Sequence, residues 1–452
     1  MNGKSHSAPG PPAAWLGMKA AREFSRDPLG FTERVVREYG PLVALRFGPV
    51  RAFLAADPVA IQEVLVSRAK DFRKEARTRK AVRKIDGDGI ITTEGDFWLR
   101  QRRLVQKGFS ADRLDRYAEV TSRRTAEMLK RWHRQGELEI CNEMTCLTLA
   151  VIAETMFAVD LAEDAQSLAE QVEYLSERLV IELGSAVVLP DWFPTPVQNR
   201  KRRALRTLHE MIRRVVCERR TAGQDRGDML SMLLAAVDTE GDGGRMTDAQ
   251  VCDEITTLFV AGYDTTASGL AWTWYLLAQH PEITRKAADE AREVLGDRPA
   301  CAEDYEQLNY IRQVIHESLR IYPPAWMLML REAVKDTELL GYEVPRKSWV
   351  YLIPWVTQRS ERWFSDPLRF DPDRFAPNRV DEIVPHSYFP FGLGGHRCIG
   401  ERLALLEMTL VVATVLREFQ FTLSPRQGPV EVEPHTAIRP RGGLRVLAEP
   451  IS

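Results

Sequence analysis

The sequence predicts a mainly α fold (α+β) with small β-sheets, and three observations carry that reading. From Asp112 to Val237 the pattern is helical, interrupted by a polar, proline-containing break around Leu189–Pro196. A further helix opens with a capping box, Thr247 at the N-cap and Gln250 at the third helical position, and runs to about His280-Pro281. That is long for a globular protein. Strand-like runs are short by comparison: Leu42–Phe47 and Arg51–Ala55, with Gly48-Pro49 as the turn between them.

In chain order, Asp27 and Pro28 suit an N-cap and a first helical residue, and the helix they open, through Phe31, Val35 and Val36, ends at Gly40-Pro41. Asp57-Pro58 opens another that ends near Arg68. The charged stretch Phe72–Thr93, with Gly87 and Gly89, reads as a long irregular loop. Trp98 and Arg102 share a helix face at i, i+4. Arg100, Arg103 and Lys107 make that helix basic, which suits a solvated face or a docking patch for an acidic partner. Gly241–Gly244 is a loop, and Glu306–Arg320 is a helix closed by Tyr322-Pro323-Pro324. Ala325–Leu330, Arg331–Val334 and Trp349–Ile353 look like strands of a small sheet. Glu401–Phe419 reads as a helix with Leu403, Leu406, Leu410 and Val411 on its apolar side, and Pro440, Gly442 and Gly443 mark a C-terminal hairpin.

Composition narrows the class. The 452 residues suggest two or three average domains by length alone. An apolar content of 44%, a charged content of 28% and a net charge of −2 describe an ordinary soluble chain with no global pull towards nucleic acid or membrane. No run approaches the ~18 apolar residues of a membrane span; Leu147–Val159 and Leu410–Leu416 are short or interrupted. Met1–Pro12 is polar and Pro/Gly-rich, without the apolar core of a signal peptide, so a cytoplasmic location is expected. Cys141, Cys146, Cys217, Cys252, Cys301 and Cys398 form no CxxC pair and are expected as reduced thiols, five of them for packing.

Chemistry concentrates in Phe391-Gly392-Leu393-Gly394-Gly395-His396-Arg397-Cys398-Ile399-Gly400. Its glycines allow a tight turn and close backbone approach to a ligand. The thiol that follows lies just before a helix, where the dipole and free N–H groups favour thiolate. By itself such a thiolate is a nucleophile with His396 as base, a redox thiol or a metal ligand. The long helix holds Ala261-Gly262-Tyr263-Asp264-Thr265-Thr266, where Gly and adjacent β-branched residues weaken the helix and threonine hydroxyls can bond back to the i−4 carbonyl. A break at Gly262–Thr266 is expected. Glu317 and Arg320 can pair at i, i+3.

The Cys loop resembles the haem-binding signature of the cytochrome P450 family, whose axial ligand is the cysteine. Ala-Gly-x-Asp-Thr-Thr matches that family's oxygen-activation segment, and Glu317-x-x-Arg320 resembles its Glu-x-x-Arg motif, with Arg374 completing a triad. The matches run in order from Trp98 to Cys398, so the resemblance covers nearly the whole chain. It implies one mainly α domain over 21–452, after a polar tail over 1–20, with about a dozen helices and haem b between the long helix and the Cys loop.

The same resemblance implies each residue's role. Cys398 is the iron's thiolate; Trp98, Arg102, Arg331 and His396 contact the haem propionates; Asp264 and Thr265 are an acid–alcohol pair delivering protons for oxygen activation. Val260, Ala261, Ala325, Trp326 and Met327 line the substrate pocket, while Glu317, Arg320 and Arg374 hold the meander before the Cys loop. The expected activity is insertion of one atom of O2 into an apolar small molecule (a fatty acid, terpenoid or steroid-like compound) by a monomeric enzyme. With the chain ending at Ser452, electrons are expected from a separate ferredoxin or flavodoxin with its reductase. Two alternatives on the same fold are a peroxide-driven peroxygenase or isomerase, and a non-catalytic haem protein. Retention of the acid–alcohol pair Asp264 and Thr265 speaks against the first, and presence of both Thr265 and Cys398 against the second.

Overall fold

The structure, a computed structural model, describes residues 7–12, 17–133, 136–158, 162–185 and 189–451. Fifteen α-helices and four small sheets are present among them. The chain divides into two compact units, one built from the residues up to Arg79 together with His316–Cys398, the other from Lys80–Ile315 together with Ile399 onward.

The first unit carries a five-stranded sheet in the order Leu42–Phe47, Val50–Ala55, Trp349–Leu352, Arg331–Ala333, Phe72–Lys74. Val50–Ala55 and Trp349–Leu352 run parallel, and the other neighbours are antiparallel. The N-terminal segment lies along the first strand: Ala44 N donates to Pro9 O (2.7 Å), and a Cβ on Gly10 would fall 1.9 Å from Ala44 O. Asp27 caps Pro28–Tyr39 by accepting from Gly30 N (3.0 Å), as its sequence predicts. The helix opened by Asp57 is α-helical over Pro58–Gln62 and continues as one π turn over Glu63–Ser67. The unit's apolar core gathers Phe53, Ile61, Val64, Phe72, Val350 and, from the Cys loop, Phe389.

Three expectations in this region are corrected. Phe72–Thr93 is not one irregular loop: Phe72–Lys74 is an edge strand paired with Arg331–Ala333, and Ala76–Asp86 is a helix. That helix has no apolar stripe to announce it; its first turn is held instead by Glu75, which accepts from Arg77 N and Thr78 N (both 2.7 Å). Ala325–Leu330 is not a strand, because its bonds are isolated ones, among them Leu328 N to Leu352 O (3.0 Å) and Glu75 N to Leu330 O (2.8 Å). The next helix spans Asn309–Ile321, after a 3₁₀ turn over Ala302–Glu306.

The second unit is organised on the helix Asp248–Gln279, whose capping box forms as predicted. It packs on Ile140–Phe157, with Phe157 against Phe259 and Trp274 Nε1 donating to Met144 Sδ (3.2 Å). Ile140–Phe157 is long and apolar enough to cross a membrane by composition alone, and most of it is buried. The helix Glu401–Glu418 buries Leu403, Leu406, Leu410 and Val411. At the C-terminus the hairpin is Val432–Pro434 with Ile438–Pro440. Gly442 and Gly443, both at positive φ, instead lead into Arg445–Pro450, the centre of a sheet flanked by Glu137–Glu139 and Phe419–Leu423.

One buried acid makes this unit's stability depend on pH. Glu407 is buried on Glu401–Glu418, and burial alone pushes its carboxyl up to about 8 from an ordinary 4.5. The folded state therefore keeps a proton that the unfolded chain releases, and stability falls as pH rises between these values. Glu407→Gln, which keeps the shape without the titration, is expected to raise Tm relative to wild type. The gap should be small at pH 4, widen through pH 5–8 and level off above about 8; calorimetry across pH checks it.

Candidate active site

In the first unit the Cys loop hangs from a buried charge network. Glu317 and Arg320 are fully buried, and Arg320 Nε and Nη2 donate to Glu317 Oε2 (2.6 Å) and Oε1 (2.7 Å). Arg374 Nε reaches Glu317 Oε1 at 3.3 Å, so the structure brings the predicted triad together. Gln358, which the sequence does not single out, extends it. Its carbonyl accepts from Arg320 Nη1 (2.7 Å), and its Nε2 donates to Leu319 O and Arg320 O (3.0 Å each). Its Oε1 then accepts from Phe389 N (2.9 Å), at the head of the Cys loop.

From Phe389 onward the backbone holds itself. Gly392 N donates to Phe389 O (2.9 Å), Arg397 N to Gly394 O (3.1 Å), and Cys398 N to Phe391 O (2.8 Å). Gly394 is required: its φ is +66°, and a Cβ there would fall 2.1 Å from Leu65 O. The result is an exposed thiol at the end of a 3₁₀ turn, Gly394–His396, with His396 half-buried beside it. Arg331 is buried in the five-stranded sheet opposite Lys74 and Val350, and its Nη1 donates to Met329 O (3.0 Å). Trp326 is buried, whereas Ala325 and Met327 are partly exposed.

In the second unit the long helix is buried over 254–259 and again from Thr266 to Trp274. Between these runs Val260, Ala261, Asp264 and Thr265 are only partly covered, and their spacing puts them on one face. The helix does not break there. Thr265 Oγ1 donates to Ala261 O (2.8 Å) and Thr266 Oγ1 to Gly262 O (2.9 Å), so the hydroxyls bond back without interrupting the ladder. Gly262 is there for helix packing: a Cβ would meet Ile152 Cδ1 at 2.8 Å.

Asp264 is fixed from outside the helix. Its Oδ1 accepts from Arg439 Nη2 (2.7 Å) and its Oδ2 from the Thr436 hydroxyl (3.0 Å), both on the C-terminal hairpin. Arg439 also reaches Glu173 (2.6 Å), on the helix Ala162–Gly184. Burial lowers the Arg439 guanidinium's affinity for its proton, but the two carboxylates more than offset that and hold it charged. Sequence spacing could not have found Arg439, 175 residues from its partner.

Trp98 and Arg102 are half-buried on Gly95–Gln106, the guanidinium 5.9 Å from the indole centre. The basic residues beside them are partly exposed but engaged with a neighbouring turn. Arg103 clasps Asp238 through Nε (3.0 Å) and Nη2 (2.6 Å), Arg100 binds Asp242 (3.0 Å), and Lys107 donates to Val237 O (2.7 Å). The hydrogen bond from Arg103 holds the Asp238 carboxyl below the usual range.

A family model described as Cytochrome P450 matches residues 8–447. The chain belongs to the cytochrome P450 family. It is therefore an oxidoreductase, a P450 monooxygenase of a haem-thiolate family whose iron is held by an axial cysteine. It is 35% identical over 440 residues to cyclooctatin synthase of Streptomyces melanosporofaciens, covering 94% of this chain and 92% of that protein. It is 32% identical over 424 residues to pentalenene oxygenase of Streptomyces avermitilis, covering 93% of each. Cyclooctat-9-en-7-ol 5-monooxygenase of S. melanosporofaciens is 34% identical over 413 residues, covering 91% of this chain and 89% of that one. The donor set suits haem: one exposed thiol on a backbone-braced turn is a soft anionic ligand for iron.

The charge network anchoring the Cys loop gives a direct test. Arg320→Ala is expected to destabilise the protein by about 3–5 kcal/mol, because it leaves buried Glu317 with only Arg374, at 3.3 Å, as counter-charge. Gln358→Ala is expected to cost less, about 1–3 kcal/mol, through orphaned buried backbone groups. Denaturant titration of both variants against wild type checks the order.

Proposed function

We propose that this P450 hydroxylates or epoxidises an unsaturated cyclic compound of the terpenoid class, with electrons from a separate ferredoxin or flavodoxin and its reductase, as a cytoplasmic monomer. The names of its relatives support the substrate class: pentalenene is by name an alkene, and cyclooctat-9-en-7-ol a cyclic alkenol. The observation that carries the site is the partly covered face Val260–Ala261–Asp264–Thr265 between two buried runs of the long helix, 254–259 and 266–274.

Bound haem supplies the oxygen-activating iron; the chain supplies ligand, positioning and protons. Cys398 is its thiolate, held in place by Phe391 O and Gly394 rather than by packing of the thiol. Trp98, Arg102, Arg331 and His396 are the propionate contacts. Thr265 can release its bond to Ala261 O and turn its hydroxyl to a proton acceptor on the open face. Asp264, its side chain 13% exposed, can take a proton from solvent and pass it to that hydroxyl when it turns away from Arg439. Val260 and Ala261, with Ala325, Trp326 and Met327, give the substrate an apolar surround.

Cys398→Ser is expected to lose the thiolate-type reduced-CO spectrum while binding haem more weakly; retention of that spectrum defeats the assignment. Thr265→Ala is expected to keep that spectrum and consume reductant at near wild-type rate, with product per electron pair reduced about tenfold or more, read by product analysis against NAD(P)H oxidation. Equal turnover of the wild type with peroxide alone would move the reading to a peroxygenase.

A further inference from the structure

Asp86 ends the helix Ala76–Asp86 as a buried acid, 3% exposed, and its Oδ1 meets no hydrogen-bond partner among the described residues. A carboxyl oxygen buried in this way costs stability unless something meets it. Burial, with the charge of Asp253 nearby, pushes the carboxyl up to about 8 from an ordinary 3.8. Near neutral pH it therefore keeps its proton, and it both donates and accepts.

The backbone around Asp86 fixes what it borders. His209 Nε2, on Pro196–Ala222, lies 2.9 Å from Ile85 O, and Thr257 Oγ1, on the long helix, donates to Asp86 O (3.3 Å). The chain then turns at Gly87 and lies directly on the same helix. Asp88 N donates to Asp253 Oδ2 (2.9 Å), and a Cβ on Gly89 would fall 2.0 Å from Thr257 Oγ1. Asp253, Thr257, Val260, Ala261 and Asp264 recur at helical spacing, so they share the face that carries Thr265. The turn covers the upstream part of that face: Thr257 beneath it is buried, and partial exposure resumes at Val260. Asp86 thus stands at the covered end of the open face. Thr257 and Thr265 are about 12 Å apart along the helix axis.

A substrate lying along the open face, with its reacting carbon at Thr265, brings its far end to Asp86. A hydrocarbon end covers the acid with apolar surface and leaves its oxygen unmet. A hydroxyl accepts the acid's proton in one hydrogen bond and donates its own in another. We propose that Asp86 is a specificity-determining residue that selects a substrate already bearing a hydroxyl at the end remote from the carbon oxidised. The enzyme then takes a cyclic terpenoid alcohol in preference to the parent hydrocarbon, and a hydroxyl-installing reaction must precede this one. The inference rests on the reading of the open face as the oxygen site.

The test is ligand titration of the haem-loaded protein, read at the haem absorption band, with matched hydrocarbons and alcohols. The pairs are limonene with perillyl alcohol, α-cedrene with cedrol, and abietadiene with abietadienol. Wild type is expected to bind at least one alcohol about tenfold or more tighter than its hydrocarbon. Asp86→Ala is expected to abolish that preference, and Asp86→Asn, which still offers a donor and an acceptor, to keep it within about threefold. A merely structural role would weaken both members of a pair alike and leave their ratio unchanged. Asp86→Val, closer in volume, stands in if the alanine variant loses the thiolate-type reduced-CO spectrum. Hydrocarbons bound by wild type as tightly as their alcohols overturn the proposal without any variant, and so does a preference that survives removal of the carboxyl. A panel in which no compound moves the band defeats the terpenoid reading of the open face, and this proposal with it.

Discussion

The position of the Cys loop depends on one buried ion pair. Glu317 and Arg320 are both fully excluded from solvent, so neither charge can be satisfied except by the other and by the groups aimed at them. Arg320 also donates through Nη1 to the carbonyl of Gln358, and Gln358 turns its amide back on the same helix end while its oxygen takes Phe389 N. A displacement of Phe389 therefore strains a chain of bonds that ends in the buried ion pair. Phe389 is also packed into the apolar core of its unit, so charge and packing fix the same residue. The thiol nine residues later needs only the loop's own backbone bonds to inherit that position.

Most of this was legible because it is local in sequence. The Cys loop, the Asp264-Thr265 pair and Glu317-x-x-Arg320 are short patterns whose residues lie within a turn or two of one another. What was not legible is long-range. Gln358 and Arg439 act on partners 38 and 175 residues away, and nothing in their neighbours marks them. The helix Ala76–Asp86 was missed because periodicity reads burial, and this helix buries little beyond Ile85 and Asp86. Ala325–Leu330 misled in the opposite sense: it is apolar and follows a proline pair, but isolated hydrogen bonds do not make a ladder.

Two basic helices also looked alike in sequence and have opposite fates. On Gly95–Gln106 the cations meet Asp238 and Asp242 of a turn more than 130 residues away, and the field they would present is neutralised at the surface. On Pro196–Ala222, Lys201 takes Glu182 and Asp191, Arg220 takes Asp248, and Arg200, Arg203 and Arg206 pair with no carboxylate among the described residues. Charge runs thus predict where cations are, and only the fold decides which of them face outward unpaired.

The long helix shows why a weakened segment need not be a broken one. Gly262 lowers helix propensity, yet it admits Ile152 of the neighbouring helix, and Thr148 adds a hydroxyl to the carbonyl of Tyr263 (3.1 Å). The contacts that intrinsic propensity loses are returned by packing, so the backbone stays regular while its one open face carries Asp264 and Thr265. Arg439 then has two carboxylates to satisfy, Glu173 with its side chain half in water and Asp264 mostly shielded. Solvent screens the first pair more than the second, so Asp264 is the partner that holds Arg439 in place. Any turning of Asp264 towards the open face must therefore be coupled to movement of Arg439, and through it to the hairpin Val432–Pro440 that carries it.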